Sequence, residues 1–343
     1  MSISAQTVFN SGGSQTINSR INDTVSVTDA GDGTPTEVTI VSGGDVGRTG
    51  FFAPTDSLFV EGTSSVLLDG GRIRRDALAF DGSSFLLTSG RIDRDLLGFD
   101  DSMITVDAGI INRDLDMNNS SSARVNGGTI RRDILAFNSS TIDIFGGTVE
   151  NDIVGFQDSV INIFGGVTVE EDLVTFDDAL MNVTGGTFLD DVIAEERSTI
   201  TITGGSFDDD VEAVDDSTVN ISGGSFGEDV EAINGGTINV FGGTFATGGL
   251  GNQDFGFLAD TGSTITVYGT GFTIDGVSVD FGEITALSGV LGGTLLDGSS
   301  LLTNFTRQPV PGQLGTIVLI PTPGSVAMLG LAGMVAGTRR RRG

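Results

Sequence analysis

The chain has no cysteine, no histidine and no tryptophan, and all 17 of its basic residues are arginine, so lysine is missing as well. Each absence removes a class of chemistry. Ser-His-Asp and Cys-His nucleophiles, His- or Cys-ligated zinc, haem and iron–sulfur centres, Schiff-base lysines and P-loop lysines all need a residue that this chain lacks. Carboxylates, hydroxyls, amides, guanidinium groups and the single tyrosine, Tyr268, are what remain. Positive charge is scarce: 46 acids, 35 of them Asp, against 17 arginines give a net charge of −29. A surface of that sign repels phosphate backbones, which argues against a nucleic-acid partner and favours attraction for cations. The lack of thiols suits reducing and oxidising compartments alike.

Glycine, by contrast, is abundant at 53 of 343 residues, and it is periodic. Turn doublets begin at Gly70, Ser89, Ala108, Gly127, Gly146, Gly165, Gly185, Gly204, Gly223 and Gly242, 19 residues apart with a single step of 20 after Gly165. In the unit Gly127 to Phe145, GGTIRRDILAFNSSTIDIF, the fourth, eighth, sixteenth and eighteenth positions are apolar and the seventeenth is polar. That alternation is the period of a β-strand. Three short strands separated by Gly-Gly, an acidic turn and Asn/Asp-Ser cannot bury an apolar face alone, but stacked units can, with like residues about 4.8 Å apart. The expected fold is all-β, a right-handed parallel β-helix of about 19 residues per coil, with a short C-terminal apolar helix. Residues 1–69 should form an N-terminal cap and irregular first coils, 70–241 the regular repeats, 242–319 the C-terminal coils and cap, and 320–343 a membrane or sorting tail.

The seventh position is Asp in nearly every coil (Asp76, Asp95, Asp114, Asp133, Asp152, Asp191, Asp210, Asp229, with Asp172 displaced by the extra residue). Stacking turns these into a carboxylate column. Each Asp can cap its own turn by accepting backbone N–H groups, or the column can form a row of cation sites. Charge favours the second use in one half only. From Gly70 to Arg132 nine arginines balance nine acids, whereas from Glu150 to Glu231 there are 21 acids and only Arg197. Carboxylates about 5 Å apart repel by roughly 1 kcal/mol per pair even in water. Asp208, Asp209, Asp210, Asp215, Asp216 and Asp229 lie in the densest acidic stretch and are the candidate ligands, with Ca²⁺ the cation that hard oxygen donors suit. The acids recur instead of clustering once, and no Trp is present to stack a sugar ring, so catalysis is not expected; a carbohydrate-binding or polysaccharide-cleaving β-helix is the alternative. Phe80, Phe99, Phe137, Phe156 and Phe176 are expected as a stacked row in the core.

The chain ends IVLIPTPGSVAMLGLAGMVAGTRRRRG: Pro321, Thr322 and Pro323, then an apolar stretch from Ser325 to Gly337, then Arg339, Arg340, Arg341 and Arg342. Four adjacent arginines would hold that end on the cytoplasmic side of a membrane, with the body outside. The order Pro-x-Pro, apolar segment, Arg cluster resembles the PEP-CTERM sorting tail of exported bacterial proteins, with Thr322 standing where that family carries Glu. The resemblance implies export, a membrane contact through the tail, and handling by an exosortase-like sorting enzyme. It implies an address and no activity. Met1 to Gln6 has neither a basic nor an apolar leader segment, so an exported protein of this kind would have its leader upstream of the start used here; without one, the chain would be a cytoplasmic scaffold. The function expected is a non-catalytic cell-surface or extracellular-matrix component, structural or adhesive, binding cations on its acidic face and through them extracellular polysaccharide.

Overall fold

Alternation along each short run sends every second side chain to one side, and a unit of 19 residues has room for three such runs before it must turn back over itself. The computed structural model describes residues 6–47, 56–246, 256–307, 309–310 and 313–322. Among them there is no helix. The chain is a parallel β-solenoid of about 12 turns with about 19 residues per turn, and 39 strands join in one continuous sheet. The expected C-terminal helix lies outside the described residues.

The register is that of the sequence repeat. Leu115 pairs with Ile134, Ile134 with Ile153 and Ile153 with Leu173, the last step absorbing the extra residue. Each lap has three faces. The first carries strands such as Ile134–Ala136, the second Thr141–Ile144 and the third Thr129–Ile130. Inward residues from all three meet in one apolar column, in which Ile130, Ile134, Ala136, Ile142 and Ile144 are fully buried. In the C-terminal half the third face switches from Ile and Val to Phe: Phe188, Phe207 and Phe226 stack with centroids 4.9 and 5.0 Å apart, the strand spacing itself.

Three corners join the faces, and each uses a different backbone device. At the glycine corner the second residue of the doublet has positive φ in the laps from Gly90 to Gly243; at Gly147 φ is +109° and a Cβ would lie 2.8 Å from the carbonyl oxygen of Gly128, so both conformation and space require glycine. Between the first and second faces the left-handed position is filled by polar residues, among them Asp100, Asn138, Asp177, Glu196 and Asp215, with φ between 54° and 60°. Asx residues reach this conformation more readily than most. Just beyond it a serine turns inward: Ser83, Ser102, Ser121, Ser140, Ser159, Ser198 and Ser217 are buried, with Ala179 in the lap of the insertion. The third corner is the aspartate corner.

Phe80, Phe99, Phe137, Phe156 and Phe176 do stack, with Phe137, Phe156 and Phe176 at 4.9 and 5.2 Å, but they are half-exposed on the outside of the first face and not in the core. Each follows an inward residue such as Ala136, so strand alternation turns it outward.

Among the described residues, parallel laps are present from Gln6 onward. Thr7 pairs with Val25, Val25 with Leu58 and Leu58 with Ala77, so the second lap is the long one. At the other end the direction of pairing changes. Thr264–Ile274 pairs in parallel with Thr316–Pro321 and antiparallel with Ser288–Leu295, which forms a hairpin with Ser300–Arg307. Arg307 is buried there; its guanidinium donates to the carbonyls of Gly315 and Ile284 and to Glu283 Oε1.

Candidate functional site

At the aspartate corner the chain enters the first face, and the N–H of the entering residue has no carbonyl opposite it. The Asp of the preceding lap supplies the acceptor. Asp95 N–H donates to Asp76 Oδ1 at 3.2 Å, Asp114 to Asp95 at 3.3 Å, Asp172 to Asp152 at 3.1 Å, Asp191 to Asp172 at 3.2 Å, Asp210 to Asp191 at 3.2 Å and Asp229 to Asp210 at 2.9 Å. The column is thus a set of caps between laps: a side-chain oxygen continues the ladder where the backbone cannot.

The residue just before each Asp decides how that carboxylate is compensated. Along the stack this position reads Arg75, Arg94, Arg113, Arg132, Asn151, Glu171, Asp190, Asp209, Glu228. In the arginine half the side chain reaches the Asp one lap below: Arg94 Nε lies 3.3 Å from Asp76 Oδ1, and Arg132 Nη1 lies 3.7 Å from Asp114 Oδ2. Asn151 makes the same reach with an amide, to Asp133 Oδ1 at 2.5 Å. Beyond Asn151 an acid takes over, so a third carboxylate stands where the guanidinium stood. Two groups of three result, Asp172 with Asp190 and Asp191, and Asp191 with Asp209 and Asp210; in each, one oxygen from every residue lies within 4.8 Å of the others.

Electrostatics follow from that crowding. Burial, then the neighbouring carboxylates Asp190, Asp152 and Asp191, push Asp172 up to about 6. Asp191 and Asp210 are raised as well, first by burial and then by their acidic neighbours. Glu212 and Glu231, paired across adjacent laps on the first face, are pushed up to about 7 by burial and by Asp191, Asp210 and Asp229 around them. A cation at this corner would relieve all of these groups together.

The six candidate ligands divide. Asp209 and Asp210 belong to one three-carboxylate group. Asp229 stands one lap on, its N–H held by Asp210. Asp208 is exposed beside Ser206, whose hydroxyl is 3.4 Å from its Oδ1. Asp215 and Asp216 lie at the opposite end of the strand, where Asp215 adopts the left-handed turn and accepts from Asn234 Nδ2. Density of acids along the chain grouped residues that the lap separates, and it left out Asp172, Asp190 and Asp191; reading residues 19 apart finds them. Of the sorting motif, Pro321 ends the last strand and Thr322 N–H donates to Gly269 O at 3.1 Å, while Pro323 and Arg339 to Arg342 lie outside the described residues. The polar row on the second face is bonded to itself: Asn162 Nδ2 donates to Asp143 Oδ1 at 2.8 Å, Asn182 to Asn162 at 2.9 Å and Asn239 to Asn220 at 2.9 Å.

No protein-family model matches the chain, and neither the curated proteins nor the solved structures give a match.

Proposed function

We propose that the chain is an exported, non-catalytic β-solenoid of the cell surface or extracellular matrix, structural or adhesive in role, whose acidic half holds divalent cations. The observation that carries the reading is the exchange of Arg for a carboxylate at one position of the lap. The first half places an arginine beside the corner in each lap and pairs Arg94 with Asp76 and Arg132 with Asp114; the second half puts Glu171, Asp190, Asp209 and Glu228 in that place and leaves the compensation to solution. Oxygens that share one Ca²⁺ at 2.3–2.6 Å lie no more than about 5 Å apart, which the 4.8 Å limit of both groups satisfies. Asp172, Asp190, Asp191, Asp209 and Asp210 are the residues that would hold it, and a cation held there bridges the rod to anionic extracellular polysaccharide. We take the coil to be right-handed, the hand that parallel crossovers favour. The PEP-CTERM-like tail supports delivery to the membrane and an exosortase-like enzyme as the sorting partner.

Calcium titration of the thermal unfolding transition tests the cation reading. Ca²⁺ at about a hundred times its dissociation constant should stabilise by about 2.7 kcal/mol per site, and the increment should vanish in a variant carrying Asp190→Asn and Asp209→Asn. Stabilisation no greater than that given by sodium chloride of equal ionic strength would overturn it. Export is tested separately by locating the protein with and without Arg339 to Arg342.

A further inference from the structure

The reversal of sign along the aspartate corner has a centre, Asn151, and the neighbouring first face has the same centre. Its outward residues in the lap of Asn151 are Val154 and Phe156; one lap below are Leu135 and Phe137, one lap above Val174 and Phe176. The phenylalanines and Leu135 are half-exposed, Val154 and Val174 are buried between neighbouring side chains, and the rings continue the stack from lap to lap. One lap further out on either side the apolar character breaks, at Asp116 and Asn118 below and at Glu195 above. An apolar patch three laps tall is therefore flanked, along one edge, by four arginine laps on one side of its midpoint and four acidic laps on the other.

We propose that this face binds a second copy of the chain, antiparallel, about a dyad that lies in the face, at right angles to the rod, through the lap of Asn151. A half-turn about that line exchanges the laps above and below the centre and leaves each column on its own edge. Arg132 of one copy then stands opposite Glu171 of the other, Arg113 opposite Asp190, and so on outward, while the phenylalanine rows meet each other. The parallel face-to-face pairing, about a dyad along the rod, does not: it carries the column to the opposite edge, where the acidic half meets Asp177, Glu196 and Asp215. The nine laps of this face offer about 43 Å by about 16 Å, so full contact would bury about 1,400 Å² over two copies, the size of stable specific complexes, and contact limited to the middle laps correspondingly less. At the ends of the face Leu97 and Leu78 come opposite Glu212 and Glu231, so the contact is closest in the middle laps. The guanidinium groups that the acidic half lacks are then supplied in trans.

This goes beyond the cation reading, and the two fail separately when association is measured in a chelator. Sedimentation velocity of the chain over a wide concentration range should show a monomer–dimer equilibrium that weakens at high salt. Arg132→Glu and Glu171→Arg, each alone, should weaken the dimer by about tenfold or more, because each places like charges opposite one another twice per dimer. Mixing the two single variants should restore a heterodimer, since every reversed residue then meets an opposite charge. The chain has no cysteine, so Asn151→Cys should cross-link to its own copy on oxidation, and Asn220→Cys on the second face should not. A monomer at all concentrations would overturn the proposal. So would association indifferent to both reversals, which is what contact through the apolar tail would give. Circular dichroism of each variant separates loss of contact from loss of fold.

Discussion

Replacing Asp116 with leucine should make the protein more stable in mild alkali and leave it nearly unchanged in acid. Asp116 occupies the outward column of the first face, paired with Leu97 through neighbouring strands on one side and Leu135 on the other. Burial among them, with the charges of Asp114, Asp95, Asp133 and Asp76 added, pushes its carboxyl from the ordinary 3.8 up to about 7. A carboxyl raised in the folded state keeps its proton where the unfolded chain has lost it. Folding is therefore unpenalised below about pH 4, loses stability as pH rises from there, and carries the full cost above about pH 7. At 1.36 kcal/mol per tenfold change the cost is about 4 kcal/mol, and partial solvent screening of a half-buried group brings the expectation to about 2 to 4 kcal/mol. Urea unfolding of the parent and of Asp116→Leu at about pH 4 and about pH 8.5 measures it, with Asp116→Asn to separate loss of charge from gain of apolar contact. Asp172, Glu212 and Glu231 also titrate between about 6 and 7 and give both proteins a shared slope, so the difference between the two proteins is the quantity that counts. A leucine variant with the same pH dependence as its parent would refute the argument.

Asp172→Ala should cost about 1 to 2 kcal/mol by stranding the N–H of Asp191, whereas Asp172→Asn keeps the Oδ1 acceptor and should be neutral or stabilising in chelator while losing the calcium increment of its group; denaturation with and without Ca²⁺ separates cap from ligand. In the serine column, Ser159 Oγ is buried without a hydrogen-bond partner while Ser217 Oγ donates to Ala194 O at 2.8 Å. Ser159→Ala should therefore stabilise by up to about 1 kcal/mol and Ser217→Ala destabilise by about as much, as read from melting curves. At Gly236 a Cβ would lie 1.9 Å from the Ala213 carbonyl oxygen, while at Gly31 nothing stands within 4 Å. Gly236→Ala should lower stability by several kcal/mol and Gly31→Ala by close to none, the pair being compared by thermal unfolding.

The lap was legible because one period governs backbone and side chains together. Once Ile134 and Ile153 are taken as equivalents, strand pairing, inward faces and glycine corners follow, and Leu173 shows where the extra residue is absorbed. The outward face was less legible. Phe137, Phe156 and Phe176 repeat over successive laps much as the core residues do, and a repeat alone does not say which side of the strand a residue takes; counting alternation from Ala136, and the breaks at Asn118 and Glu195, would have placed them outside. The serine column was hidden for the opposite reason, since Ser140 and Ser159 look like turn residues and yet point inward at an apolar core. The acidic site was misgrouped because proximity in a solenoid runs across laps. Asp215 and Asp216 are near Asp210 in sequence and a full strand away from it, whereas Asp191 is 19 residues away and bonded to it.

At the C-terminal end the outermost backbone row meets strands of opposite direction, Ser288–Leu295 against Thr264–Ile274 and Gly282–Glu283 against Val318 and Leu319. Antiparallel partners interrupt the lap-on-lap register at this end, so an identical lap laid there would not find the continuous parallel pairing that each inner lap gives the next. The described laps have a definite length: about 12 of them at about 4.8 Å span about 58 Å. A sheet or coat built from such units would inherit one uniform thickness.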